Sequence, residues 1–309
     1  MNQYKISVII PHYNTPHLLQ RCIDSIPDRE DVQLIIVDDN SSPNIVDFKN
    51  FPGLCRKHTK IIFNKISYGA GHARNLGLPY AKGKWLLFAD ADDFFTTNAW
   101  EVFGPQMNSN ADIIYFGITS ADSDTLEPAE RCLLYDRYVK DYCQKHDIES
   151  ADRLRFTHDG PIGKLIRHKL VQEKNIVFDE TRYCNDTIFS VKCALAAKHI
   201  DAVPNIVYCV TYRRGSLTTQ MSREAILIRF TVILNKNRIL REYHRHKYQT
   251  PFLFYFRQAL RYGPATIFQM IRISVQYRAN YGMELKRYVT SNISKIKKYI
   301  QFKCNNTST

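Results

Sequence analysis

Three carboxylates, Asp90, Asp92 and Asp93, stand within four residues, directly after the apolar run Trp85 to Ala89. That run has the length of a buried strand, so the acids fall at its carboxyl end. Carboxylates this close repel one another and are rarely buried unless something compensates them. In an open α/β sheet, where ligands bind beyond the carboxyl ends of the strands, a divalent cation is the natural compensator. Mg²⁺ and Mn²⁺ take oxygen ligands, and Mg²⁺ is usually held by one or two carboxylates plus substrate phosphates. The same short pattern also fits a solvated acidic turn that begins a helix at Phe94, so the neighbouring stretches have to decide.

They repeat the theme. Gln33 to Val37 reads as another buried strand, and it empties into Asp38-Asp39-Asn40-Ser41-Ser42. Asp, Asn and Ser are also good helix caps, and that reading stays open, for Asp38 in particular. Lys5 to Pro11 is a β-branched run followed by a turn with His12, Tyr13 and Asn14. The glycine-rich stretch Tyr68 to Leu78 passes into a helix, and a helix amino end beside Arg74 suits a phosphate. Asn185-Asp186 precedes a helical pattern, Ile188, Val191 and Leu195, which puts Asp186 at a helix amino end. Lys164, Arg213 and Arg214 are candidate diphosphate contacts on charge alone, and a solvated role fits each equally well.

These groups need a scaffold that gathers strand ends. Strands at Lys5 to Pro11, Gln33 to Val37, Ile61 to Phe63 and Trp85 to Ala89 alternate with helical or looped segments. That alternation predicts an α/β fold with a doubly wound, mostly parallel sheet. Between the first two strands, a helix from Pro16 to Ile26 carries the stripe Leu18, Leu19, Cys22, Ile23 and Ile26, with Thr15 as cap. Ala111 to Thr119 is a further strand, and 120–150 is polar without a clear period. Gly160 to Ile166 leads through Arg167 and His168 to a helix ending near Asn175. Val203 to Tyr212 is a strand with a break at Pro204. From Ser222 the character changes. A long helix carries Ile226, Phe230, Ile233 and Leu240 on one face, and Pro251 to Tyr277 is rich in Phe, Tyr, Ile and Arg. Arg257, Arg261, Arg272 and Gly263-Pro264 exclude a membrane-spanning helix there.

Composition bounds the rest. At 309 residues, 44% hydrophobic and 24% charged, the chain suits one large α/β domain plus an appendage, or two domains. Eight cysteines without a Cys-x-x-Cys pair exclude a zinc knuckle, and scattered thiols with no signal-peptide core before Lys5 suggest a cytosolic protein. The net charge of +13 is uneven: from Arg223 onward stand 17 Lys and Arg against 3 Glu, while the first 222 residues are almost neutral. Such asymmetry points to nucleic acid or an anionic membrane surface. A basic amphipathic region could lie on a membrane or pack as a helical subdomain with a solvated basic face, and periodicity alone separates neither.

Taken together, residues 5 to 220 resemble the family 2 glycosyltransferases, inverting enzymes with a GT-A fold. Five segments carry the resemblance in the family's order: Ser7 to Pro11 with Tyr13-Asn14, Ile35 to Ser41, Ala73 to Gly77, Phe88 to Asp93, and Asn185-Asp186 before Phe189. The resemblance implies a sugar transferase, hexosyl or N-acetylhexosaminyl, with a nucleotide-diphosphate donor, UDP above all. Its acceptor would be a glycan or lipid-linked saccharide of a surface polysaccharide. It implies that Tyr13 stacks on uracil, Pro11 shapes the nucleotide loop, Asp39 accepts the ring N–H and Arg74 lies near the phosphates. Asp90 would reach the ribose or the metal's waters, Asp92 would ligate Mn²⁺ or Mg²⁺, and Asp186 would be the general base. Two departures stand out: Ile66 replaces an asparagine frequent eight residues before Arg74, with Asn64 nearby, and Asn185 replaces the glutamate before the base.

The domain expectation is a catalytic region over 1–220, its nucleotide half about 1–115 and its acceptor half about 116–220, followed by a basic helical region over 221–309. An enzyme of this kind would act at the inner face of the plasma membrane, with residues 223–309 on the anionic surface. Two other function classes compete. A nucleic-acid-binding protein would use the basic tail but leave the carboxylates idle, and no nucleic-acid motif is present. A nucleotidyltransferase or nucleotide-sugar hydrolase would use the same sheet edge.

Overall fold

The β-branched and aromatic runs form strands β1 (Ile6–His12), β2 (Val32–Asp38), β3 (Thr59–Phe63), β4 (Trp85–Phe88), β5 (Phe94–Phe95), β6 (Ile113–Asp122), β7 (Lys164–Arg167) and β8 (Ile200–Tyr212). The computed structural model describes residues 4–213 and 220–286. The strands join in one sheet of order β3-β2-β1-β4-β7-β6-β8-β5. Pairings among β1, β2, β3 and β4 are parallel, as is β6 with β8, whereas β7 runs antiparallel to both of its neighbours. Every residue of β1 and β2 is buried, which is why those strands lack polar alternation. One apolar layer, with Ile10, Leu34, Trp85 and Phe116, covers one face of the sheet. Ile9, Ile35, Phe88 and Phe189 belong to the other.

Helices α1 (Pro16–Asp24), α2 (Ala70–Gly77), α3 (Ala99–Phe103), α4 (Leu133–Lys145), α5 (Ile148–Thr157), α6 (His168–Glu173) and α7 (Thr187–Ala196) complete this part. It departs from the sequence expectation in four places. The polar stretch 120–150 holds α4 and part of α5, whose short apolar stripes escape a periodicity reading. Lys164–Arg167 is a strand wedged between β4 and β6, where only a lead-in to a helix was expected. No helix begins at Phe94; Phe94 and Phe95 pair with Cys209 and Tyr208. Strand β8 runs through Pro204, because the ladder to β6 shifts register there, so no donor is required of the proline.

The chain divides into two units at Gln220/Met221. The second contains α8 (Arg223–Glu242), α9 (Leu253–Ala259) and α10 (Pro264–Gln276). Ser222 caps α8 by accepting the Ala225 N–H at 3.1 Å. Ile226, Phe230 and Leu234 pack on Phe252, Tyr255, Ala259 and Met270. Gly263 (φ +81°) and Pro264 at the first turn end one helix and begin the next. Among the described residues no helix is long and apolar enough to cross a membrane.

Candidate active site at the carboxyl edge of the sheet

Parallel register aligns the strand tips. His12 lies opposite Asp38 and Ile9 opposite Phe88, so Asp38, Asp39 and the Asp90–Asp93 turn share one edge. Asp38 is buried and accepts the His12 Nδ1 proton at 2.7 Å, the Ser41 hydroxyl at 2.6 Å and the Ser41 N–H at 3.0 Å. Burial alone would raise its pKa, but these bonds outweigh it and hold the carboxyl below its ordinary value. His12 Nε2 accepts the Thr15 N–H at 3.1 Å, which leaves the proton on Nδ1. Asn14, at φ +55°, exchanges bonds with Ser41 and Ser42, both 2.8 Å. Asp38 therefore fastens the loops after β1 and β2 and caps no helix. Pro11 is buried in that frame, and Tyr13, just beyond it, is 53% exposed.

Asp39 is also buried. Its carboxylate accepts from Ser67 Oγ and Gly69 N at 2.7 Å each, from Asn64 Nδ2 at 3.2 Å and from Tyr68 N at 3.3 Å. A carboxylate has about four lone-pair positions, so the loop that opens α2 fills them. This anchoring went unseen in the sequence, since the donors lie 25–30 residues away. Asn64 reaches Asp39, while Ile66 faces solvent.

At the tip of β4 the three acids part company. Asp93 points inward and accepts the Thr211 N–H at 2.6 Å and the Tyr208 hydroxyl proton. Tyr208 in turn accepts the Asp90 N–H at 2.9 Å. Burial, then the charges of Asp92 and Asp90, raise the Asp93 pKa well above normal. Asp92 is half-buried, and its pKa is raised by burial first and by Asp90 second, with Arg213 and Arg131 opposing. The Asp92 carbonyl is clamped by Arg21 Nη2 at 2.6 Å and Thr211 Oγ1 at 2.7 Å. Arg21 lies on α1 and Arg131 before α4, and no local pattern marks either. Arg213 is exposed, Arg214 lies outside the described residues, and Lys164 is buried with Nζ on the His158 carbonyl at 2.7 Å. That position excludes the solvated role considered for Lys164.

Arg74 ties this edge to the segment before α7. Buried on α2 with its guanidinium 5.2 Å from the Phe178 ring, it donates to Asp90 Oδ1 and, at 3.0 Å, to Asn185 Oδ1. Gly71 makes the approach possible: a Cβ there would stand 2.1 Å from the Asp179 carbonyl oxygen. Asp186 begins α7 without capping it. Burial raises its pKa to about 6, the Arg74 charge opposes, and Asp90 and Asp159 add to the rise.

Among the described residues no three His, Cys, Asp or Glu side chains converge as a ready metal cage. Asp90 and Asp92 nonetheless offer carboxylate oxygens at this strand tip, where burial first and the Asp90 charge second disfavour the charged form of Asp92. That donor set fits Mg²⁺ or Mn²⁺ completed by phosphate oxygens.

A family model described as Glycosyl transferase family 2 matches residues 7–173, more than half of the chain. The poly(ribitol-phosphate) beta-glucosyltransferase of Bacillus spizizenii is 27% identical over 220 residues, 68% of this chain and 32% of that protein. The UDP-Glc:alpha-D-GlcNAc-diphosphoundecaprenol beta-1,3-glucosyltransferase WfgD of Escherichia coli is 30% identical over 122 residues, 37% of this chain and 46% of that protein. The chain thus spans about a third to a half of the length of these two relatives. Among solved structures, residues 1–349 of S. aureus TarS in complex with UDP-GlcNAc superpose with a TM-score of 0.55 at 21% identity, covering 78% of this chain and 72% of that TarS fragment. The mannosyltransferase PcManGT from Pyrobaculum calidifontis, in complex with GDP-Man and Mn²⁺, gives 0.52 at 14% identity over 96% and 76%. At these identities the likeness is one of fold, and the fold is GT-A.

Proposed function

The chain belongs to glycosyl transferase family 2, and from that premise we propose an inverting transferase that moves a sugar from a nucleoside-diphosphate donor, UDP-linked, to a hydroxyl of a glycan or lipid-linked saccharide acceptor in surface-polysaccharide synthesis. One observation carries the reading: Arg74 joins Asp90, at the acidic strand tip, to Asn185, the neighbour of a carboxylate poised near neutrality. Those two bonds support a reading in which the donor-side strand tip and the acceptor-side segment act together. The relatives' names support the substrate class, since WfgD is a UDP-Glc transferase and TarS was solved with UDP-GlcNAc.

Tyr13 stacks on the base, and Asp39 takes the ring N–H in place of its longer bonds from the loop. Arg74, with Arg131 and Arg213 nearby, faces the diphosphate. Asp92 and Asp90 would hold Mn²⁺ or Mg²⁺, which would supply Lewis-acid stabilisation of the leaving diphosphate. The acceptor oxygen attacks the anomeric carbon opposite the diphosphate, and its proton passes to Asp186. The new C–O bond forms as the C–O bond to phosphate breaks, with the electron pair leaving on the diphosphate. A lipid-linked acceptor places the enzyme at the inner face of the plasma membrane.

A nucleotide-release screen over UDP- and GDP-sugars with Mn²⁺ tests this, using wild type, Asp92→Ala and Asp186→Ala. Acceptor-dependent release lost in both variants is expected. Full-rate release without acceptor would reveal a hydrolase, and activity that survives Asp92→Ala under chelation would remove the mechanism.

A further inference from the structure

Helix α10 of the second unit is apolar on two sides: Met270, with Ile267 and Ile273, packs inward on the cluster of α8 and α9, and a second set of apolar residues faces out. On α10, Thr266 and Met270 are 0% exposed and Ser274 is 1% exposed, whereas Phe268, Ile271 and Val275 are 67%, 46% and 73% exposed. The inward hydroxyls are satisfied one turn back, Thr266 Oγ1 on the Tyr262 carbonyl at 3.1 Å and Ser274 Oγ on the Met270 carbonyl at 2.8 Å. Arg223 Nε also donates to Thr266 Oγ1 at 2.9 Å. The outward residues recur at intervals of three and four, so they form one stripe along the helix. A surface helix in water normally places such residues inward, and a contiguous exposed apolar stripe marks a contact surface.

Charge identifies the contact. Exposed Arg272 borders the stripe one turn beyond Phe268, and exposed Arg261 with Leu260 precedes the helix. From Tyr243 to Met283 the chain has six Lys and Arg and no Asp or Glu. An apolar stripe bordered by Arg261 and Arg272, on a segment with no acid of its own, complements an anionic lipid surface rather than an ordinary protein surface of mixed charge. We propose that α10 docks this unit on an anionic bilayer, with Phe268, Ile271 and Val275 entering the boundary between headgroups and acyl chains while Arg261 and Arg272 meet lipid phosphates. The purpose of such docking, delivery of a lipid-linked acceptor, rests on the transferase reading; the docking itself does not.

Flotation of the full chain with vesicles of phosphatidylcholine alone, and of phosphatidylcholine with phosphatidylglycerol, tests it. Wild type should float with the anionic vesicles. The triple variant Phe268→Ser, Ile271→Ser, Val275→Ser should bind them at least about tenfold more weakly while keeping its melting temperature and nucleotide release. Arg272→Glu should reduce binding to the anionic vesicles only. A wild-type chain that stays at the bottom, or a triple variant that floats equally well, overturns the proposal. So does sedimentation showing a wild-type dimer that the triple variant dissolves, without vesicle binding by either. Flotation without nucleotide release would sink the transferase reading alone, and release on a soluble acceptor without flotation would sink the docking alone.

Discussion

Asp186 is a carboxylate whose surroundings oppose its charge. Its pKa stands at about 6 against an ordinary 3.8, through burial first, with Asp90 and Asp159 adding to the rise and Arg74 working against it. Between those two values the folded chain binds the proton more tightly than the unfolded chain does. Stability is therefore present below about pH 4 and is lost as pH rises to about 6. Asp186→Asn should raise stability at pH 7 by about 1–2 kcal/mol, discounted for the group's partial exposure, in a thermal melt. The same substitution should lower transfer by about 10²–10⁴-fold, and wild-type kcat/KM should fall below an acid limb near pH 6. A flat profile on the acid side, or a variant that is both active and less stable, contradicts the assignment. Asp39 is a carboxylate whose oxygens are filled by donors. Asp39→Ala strands four of them and should cost about 2–4 kcal/mol while raising the donor KM more than it lowers kcat, as denaturation and steady-state kinetics will read.

At the scale of elements, the sheet was legible because β1, β2 and β4 announce themselves as unbroken apolar runs, and an α/β topology puts their tips together. Asp39, Asp90, Asp92, Arg74 and Asp186 accordingly lie within one connected edge. What stayed hidden depends on contacts distant in sequence. Arg21 clamps a carbonyl 71 positions away, and β7 is a four-residue strand that only its two neighbours define. The contact between α2 and the 179–185 segment was hidden too, and Gly71 is its joint. A methyl group at Gly71 would meet backbone, which cannot rotate away, so Gly71→Ala should separate Arg74 from Asn185. Transfer should drop at least about tenfold, with a melting loss of a few degrees, on the order of a 1–2 kcal/mol strain. Wild-type kinetics in Gly71→Ala would show that the two segments need not touch. Arg21→Ala should lower kcat with little effect on melting, because Thr211 still holds the Asp92 carbonyl.

Across the whole molecule, thiol chemistry reports how the parts are buried. None of the seven described cysteines is in a disulfide; Cys304 lies outside the described residues. Cys22, Cys132, Cys193 and Cys209 are buried, and burial raises their thiol pKa, to about 12 for Cys193 and about 11 for Cys132 and Cys209. Thiolate is the reactive form, so these four should resist alkylation near neutral pH until the chain unfolds. Cys55 is exposed and should react first, while Cys143 and Cys184 are half-buried and should follow. Cys184 immediately precedes Asn185 and Asp186, so a donor nucleotide with Mn²⁺ should slow its alkylation and leave Cys55 unchanged. Mass spectrometry of timed iodoacetamide reactions resolves each site. Protection confined to Cys184 locates the ligand beside the Arg74–Asn185 junction, whereas equal rates with and without nucleotide would move the binding site elsewhere on the sheet.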